Sequence, residues 1–148
     1  MEHNVLLVED DAAVARVIQE ALADASDGPF IVEWVRRLSD GLERLSKGGI
    51  AAVLLDLFLP DSQGIDTFGK LSLAAPCVPV LVLAGLGDED IAKEAVNRGA
   101  QDYLLKIRLD SYALTRALHS VIARKVVEDA LFLEKERAQI TLNSLGTP

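Results

Sequence analysis

Apolar runs alternate with segments of helical period along most of the chain. Five short runs read as strands, at about 4–9, 30–35, 51–56, 79–84 and 101–105. Val5-Leu6-Leu7-Val8 and Ile50-Ala51-Ala52-Val53-Leu54-Leu55 are apolar at every position, the pattern of strands covered on both faces. In the run at 30–35, Phe30, Val32 and Trp34 alternate with Ile31, Glu33 and Val35, which predicts an edge strand. Helical periods fall at about 12–25, 39–47, 64–74, 88–98 and from 110 onward. Val14, Val17, Ile18, Ala21 and Leu22 form one apolar stripe on the first. Asp11 is placed to cap that helix and Ser26-Asp27-Gly28-Pro29 to stop it. Asp88 is placed to cap the fourth helix, Gly99 to end it, and Asp110 or Ser111 to cap the fifth.

This is a (βα)5 order. Parallel strands need crossover helices, and such crossovers are right-handed, so the predicted class is a doubly wound α/β sandwich. Ligands of such folds sit beyond the carboxyl ends of the strands. The fifth helix continues past the length a compact domain needs, through Val126, Ala130, Leu133 and Ile140, with Arg137 interrupting the seam. Two heptads fall short of what a coiled coil needs, and a solvated helical linker fits the same residues.

The chain has 148 residues, half of them hydrophobic, enough for one domain with a real core. Its net charge of −8, with no Lys/Arg run, argues against nucleic-acid binding by this segment. The single Cys77 excludes an internal disulfide and reads as a small hydrophobe entering a strand. No apolar stretch is long enough to span a bilayer and no signal peptide is apparent, so a soluble cytoplasmic protein is expected.

The charges at the strand ends carry the chemistry. Glu9, Asp10 and Asp11 close the first strand, Asp56 the third and Lys106 the fifth. Taken alone, the acidic triple is a solvated turn and helix start. Joined on one rim by parallel strands, these acids and one lysine suit a hard cation with oxygen ligands, such as Mg²⁺, and a phosphoryl group. Asp56 then has two roles open to it, as a metal ligand only or as a nucleophile that carries an acyl phosphate. A nucleotide-binding enzyme is disfavoured, because no Gly-rich turn follows the first strand. His3 lies near the terminus and His119 mid-helix, away from the rim, so neither is expected to catalyse.

Val8-Glu9-Asp10, Leu55-Asp56-Leu57-Phe58-Leu59-Pro60-Asp61 with Gly64, and Asp102-Tyr103-Leu104-Leu105-Lys106 resemble the receiver domain of bacterial two-component response regulators, over residues 4–125. The resemblance implies a flavodoxin-like fold with strand order 2-1-3-4-5. It makes Asp56 the phosphoacceptor for a phosphohistidine on a sensor histidine kinase or phosphotransfer protein. It gives Asp10 direct contact with Mg²⁺, Glu9 a contact through water, and the Phe58 carbonyl a backbone contact. Lys106 would meet the phosphoryl oxygens and Tyr103 would change rotamer on activation. The domain division expected is a receiver at 1–125 and a helical linker at 126–148. The segment from Phe132 to Gly146 is similar to the helix that enters a PAS domain in cyclic di-GMP cyclases and phosphodiesterases. That likeness implies a downstream output domain, and pairing with a second copy of the chain, as further partners. The receiver would then be regulatory rather than itself an enzyme.

Three positions depart from the family pattern. Ala84 stands where the family usually has Thr or Ser, so the hydroxyl that draws the next loop toward the phosphoryl group is absent. That loss favours a rival reading, a phosphorylation-independent interaction or dimerisation module. Ile107 follows Lys106 where the family commonly has Pro, so a trans bond is expected. Phe58 and Leu86 are bulky beside the expected site, which predicts restricted water and slow loss of phosphate.

Overall fold

A computed structural model describes residues 3–23 and 30–145, with side chains as far as residue 138. The elements run β1 (His3–Val8), α1 (Ala12–Ala23), β2 (Phe30–Val35), α2 (Leu38–Ser46), β3 (Ala52–Asp56), β4 (Phe58–Leu59), β5 (Ser62–Gln63), α3 (Ile65–Ala74), β6 (Val80–Ala84), α4 (Glu89–Asn97), β7 (Asp102–Leu105) and α5 (Ser111–Leu145). A 3-10 turn, Lys106–Arg108, joins β7 to α5. The main sheet is parallel, in the order β2-β1-β3-β6-β7. Setting aside the β4–β5 hairpin, this is the expected order 2-1-3-4-5, with the alternating strand β2 at one edge.

The two faces of the sheet follow from the period-2 geometry of strands. Leu6, Val8, Val53, Leu55, Val80 and Val82 pack under α2, α3 and α4 with Leu38, Phe68, Leu71 and Ala92. Val5, Leu7, Ala52, Leu54, Leu81 and Leu83 pack under α1 and α5 with Ile18, Leu22, Leu114 and Leu118. Both faces are therefore dry, which is why β1 is apolar from Val5 to Val8 and β3 from Ala52 to Leu55.

Helix ends mostly follow the expected chemistry. Asp11 Oδ1 accepts from the Ala13 amide at 2.8 Å, and Asp110 Oδ1 from the Ala113 amide at 2.7 Å. Gly99 stands at φ 125°, which a residue with a Cβ resists, and it ends α4 as predicted. Asp88 occupies the cap position of α4 but makes no capping hydrogen bond with its side chain. There Glu89 and Asp90 place negative charge in the first turn instead. The expected stop at Ser26–Pro29 lies outside the described residues.

Several expectations are corrected. On α1 the buried stripe is Ala15, Ile18, Ala21 and Leu22, while Val17 is exposed. The stripe that points at the sheet runs i, i+3, i+7 from Ala15, and Val17 falls outside that wedge. Cys77 is exposed in the turn before β6, not within a strand. The bond before Ile107 is trans, as expected; among the described residues there is no cis peptide. No described helix is long and apolar enough to cross a membrane.

In α5, Leu114, Leu118 and Val121 are buried against the sheet. From Val126 onward the described side chains, including Leu131, Phe132 and Leu133, are all exposed. The seam expected at 126, 130 and 133 is therefore open to solvent, and the Ile140 side chain lies outside the described residues.

Candidate phosphoacceptor site

Asp56 is the last residue of β3, in register with Leu83 of β6, and Val8 at the end of β1 is in register with Leu55. The register brings the β1 and β3 ends side by side, so Glu9 and Asp56 share one hollow. Lys106 reaches it from the end of β7. Its Nζ donates to Asp56 Oδ2 at 2.8 Å and to Glu9 Oε1 at 3.3 Å. Glu9 and Asp56 are 1% and 6% exposed. The other oxygen of Asp56, Oδ1, accepts from the Phe58 amide at 2.9 Å. Two carboxylates thus share one ammonium in a largely dry hollow.

The electrostatic consequence falls on Glu9. Burial first, and then the neighbouring Asp56 charge, push its carboxyl from an ordinary 4.5 up to about 7, against the pull of Lys106. Burial works to lower the Lys106 pKa, but the hydrogen bond and charge of Asp56, with Glu9 behind it, outweigh burial and raise it. Lys106 is held as an ammonium while one acid remains incompletely compensated.

Of the predicted residues, the structure brings Glu9, Asp56 and Lys106 into contact. Asp10 is exposed beside them and makes no contact with Lys106. Among the described residues no three His, Cys, Asp or Glu side chains converge as a ready-made metal cage. Lys106 takes the cationic place between Glu9 and Asp56. A hard divalent ion nevertheless suits this oxygen-rich hollow. Glu9 Oε2 is buried without a hydrogen bond of good geometry, although Lys106 Nζ lies 3.3 Å away. An unsatisfied, buried carboxylate oxygen is an acceptor that a cation would complete.

Ala84 is buried at the end of β6, next to Asp56's neighbour Leu83 in the sheet. Tyr103 is half-buried and packs against the core under α2, α3 and α4. Leu86 is 80% exposed, so in this arrangement it does not wall the hollow, contrary to expectation, while Phe58 is half-buried against the same core as Tyr103.

Sequence reasoning placed Phe58 at the site but missed the hairpin that carries it. Residues 58–59 and 62–63 pair as an antiparallel hairpin, too short to leave a periodic signal. Thr67 Oγ1 donates to the Leu57 carbonyl at 2.9 Å and shares a bond with Ser62 Oγ, fixing the hairpin to α3. Asp61 fixes it to α2 by accepting from the Leu38 and Ser39 amides, each at 2.9 Å. Burial opposes ionisation of Asp61, but those amide bonds outweigh it and hold the carboxyl below its ordinary pKa. The signal available was an Asp after Pro60, a residue type that caps helices, but its helix is 23 positions earlier in the chain.

The fold and the strand-end charges together match a known class. The family model for the response regulator receiver domain matches residues 5–119, and the chain belongs to that family. It is 34% identical over 103 residues to the swarming motility regulation protein RssB of Serratia marcescens, covering 70% of this chain and 46% of RssB. It is 33% identical over 120 residues to the cell cycle transcriptional regulator CtrA of Caulobacter vibrioides, covering 81% of this chain and 50% of CtrA. A crystal structure of a response regulator receiver domain protein from Clostridium thermocellum superposes with a TM-score of 0.74 at 25% identity, over 84% of this chain and 98% of that one. The chain spans about half the length of RssB and CtrA. It is a regulatory phosphoacceptor domain of two-component signalling.

Proposed function

We propose that Asp56 is the acceptor of this receiver. The observation that carries the assignment is the 2.8 Å contact of Lys106 Nζ with Asp56 Oδ2 at the end of the central strand. In the step proposed, an Asp56 carboxylate oxygen attacks phosphorus on a partner's phosphohistidine. The N–P bond breaks as the O–P bond forms, leaving an acyl phosphate here and the donor's imidazole free. The Phe58 amide orients the carboxylate, and Lys106 turns its ammonium from Asp56 to the phosphoryl oxygens. Glu9, Asp10, Asp56 and the Phe58 carbonyl are the groups that would hold Mg²⁺. When bound, the ion supplies positive charge against the phosphoryl oxygens.

The donor is a sensor histidine kinase or phosphotransfer protein, and a cytoplasmic location goes with that donor. Residues 1–125 form the receiver and 126–148 a helical linker. The output it regulates lies beyond this chain, in a PAS-type module governing cyclic di-GMP turnover, with a second copy of the chain as the pairing partner of the linker. The receiver itself turns over no substrate.

Incubation with acetyl phosphate and Mg²⁺, read by intact mass, tests the acceptor. A phosphoryl adduct is expected on the native protein and none on Asp56→Asn. Ala84 favours a second reading, an interaction module of the same fold that works without phosphate. Absence of any adduct with native Asp56 would select that reading.

A further inference from the structure

The acidic turn after β1 is held from an unexpected side. Glu9 continues the ladder to β2 by donating its amide to the Val35 carbonyl at 3.1 Å. Its own carbonyl accepts from Trp34 Nε1 at 2.7 Å. Its side chain folds back to accept the Asp11 amide on Oε1 at 3.1 Å. Trp34 is the only tryptophan in the chain, and it lies on the edge strand rather than in the hollow. Its ring is covered in turn by the Arg36 guanidinium, 4.8 Å from the ring centroid. The indole also floors an open groove with Ala12, Ala13, Arg16 and Val17, so α1 packs beside it just where the acidic turn feeds into the helix.

We infer that Trp34 is a positioning residue for the acidic turn: its indole N–H, steadied by Arg36, fixes the Glu9 carbonyl and so sets where Glu9 and Asp10 present their carboxylates. The inference rests on the reading of that turn as the cation-holding part of the acceptor site. Its physical basis is local. The Glu9 peptide is the hinge between strand and turn, and a carbonyl held by a short bond favours one orientation over the others. Glu9 is buried and cannot be steered by solvent, whereas Asp10 is exposed and has only the backbone to direct it. Removing the indole bond leaves the Asp10 carboxylate free to turn outward and loosens the peptide that carries it.

Two variants separate the bond from the bulk of the ring. Trp34→Phe keeps an aromatic ring without a donor, and 3-benzothienylalanine at position 34 keeps the whole bicycle with sulfur in place of N–H. In metal-free protein, exchange of the Asp11 amide, which is bonded to Glu9 Oε1, is expected to quicken about two- to tenfold in both, with the β3 amides unchanged. In acetyl phosphate reactions the Mg²⁺ concentration for half-maximal rate is expected to rise by a similar factor, with the rate at saturating Mg²⁺ retained. A residue that merely supports the fold would instead alter stability and leave that midpoint in place. Native exchange at Asp11, together with a native Mg²⁺ midpoint, in the benzothienyl protein would overturn the inference. If the native protein accepts no phosphoryl group at any Mg²⁺ concentration, the acceptor assignment fails, and the metal-free exchange still decides the role of Trp34.

Discussion

Glu9 is the residue on which the site's electrostatics turn. Its folded pKa of about 7 lies above the ordinary 4.5 of an unfolded chain. Below about 4.5 both states hold the proton; between about 4.5 and about 7 only the folded state does. Stability therefore declines as pH rises through that window and is level above it. Glu9→Gln removes this slope, and at pH 8 without divalent ions we expect it to be more stable than the native protein by on the order of 2 kcal/mol. Urea unfolding at pH 5 and pH 8 measures the difference, and equal pH slopes for the two proteins would refute the account. Lys106→Ala has the opposite sign. It leaves two buried carboxylates facing each other, and a loss of about 2 kcal/mol at neutral pH is expected in the same measurement.

Two connections decide how the acceptor is coupled to its surroundings. The β4–β5 hairpin is tied to α2 through Asp61, so Asp61→Ala should cost about 1 kcal/mol and quicken amide exchange at Leu38 and Ser39. Unaltered exchange there would show that the clamp is idle. At the end of β6, Ala84 leaves the following loop without a hydroxyl anchor. Ala84→Ser restores a donor, worth about 1.5–3 kcal/mol against a charged group. Chemical-shift changes in the Gly85–Gly87 loop on adding beryllium fluoride should grow in Ala84→Ser, and no growth would refute the anchor's role. The sequence made the strand ends legible because buried runs close abruptly on charge at Asp56 and Lys106. It concealed the hairpin, whose paired segments are two residues each, and the Asp61 clamp and the Trp34 bond, which join positions distant in the chain. The misplaced Val17 has a related cause. Periodicity marks an apolar stripe, but only the packed neighbour fixes which edge of the stripe faces inward.

Taken whole, the molecule is a closed sandwich with a rod attached. The last buried side chain of α5 is Val121, Ile122 is half-buried against the same core, and no described residue beyond Ile122 packs on either core. Ending the chain after Lys125 should therefore shift the urea midpoint by less than about 0.5 kcal/mol in free energy. The Lys125–Asp129 pair it removes is a surface contact of small worth. A large loss of stability on truncation would mean that the overhang packs against something. Left alone, a helical extension of this length is marginal in water, so far-UV circular dichroism of the full chain should rise in helicity whenever a partner covers Val126–Leu133.

Mechanically, that overhang is a pointer. From Val126 to Leu145 it reaches about 30 Å at 1.5 Å per residue. A tilt of about 5° where α5 leaves the sheet, too slight to disturb side-chain packing, would swing its tip by about 2.5 Å. The receiver need not deform much to be felt at a distance, because the arm multiplies angle into displacement.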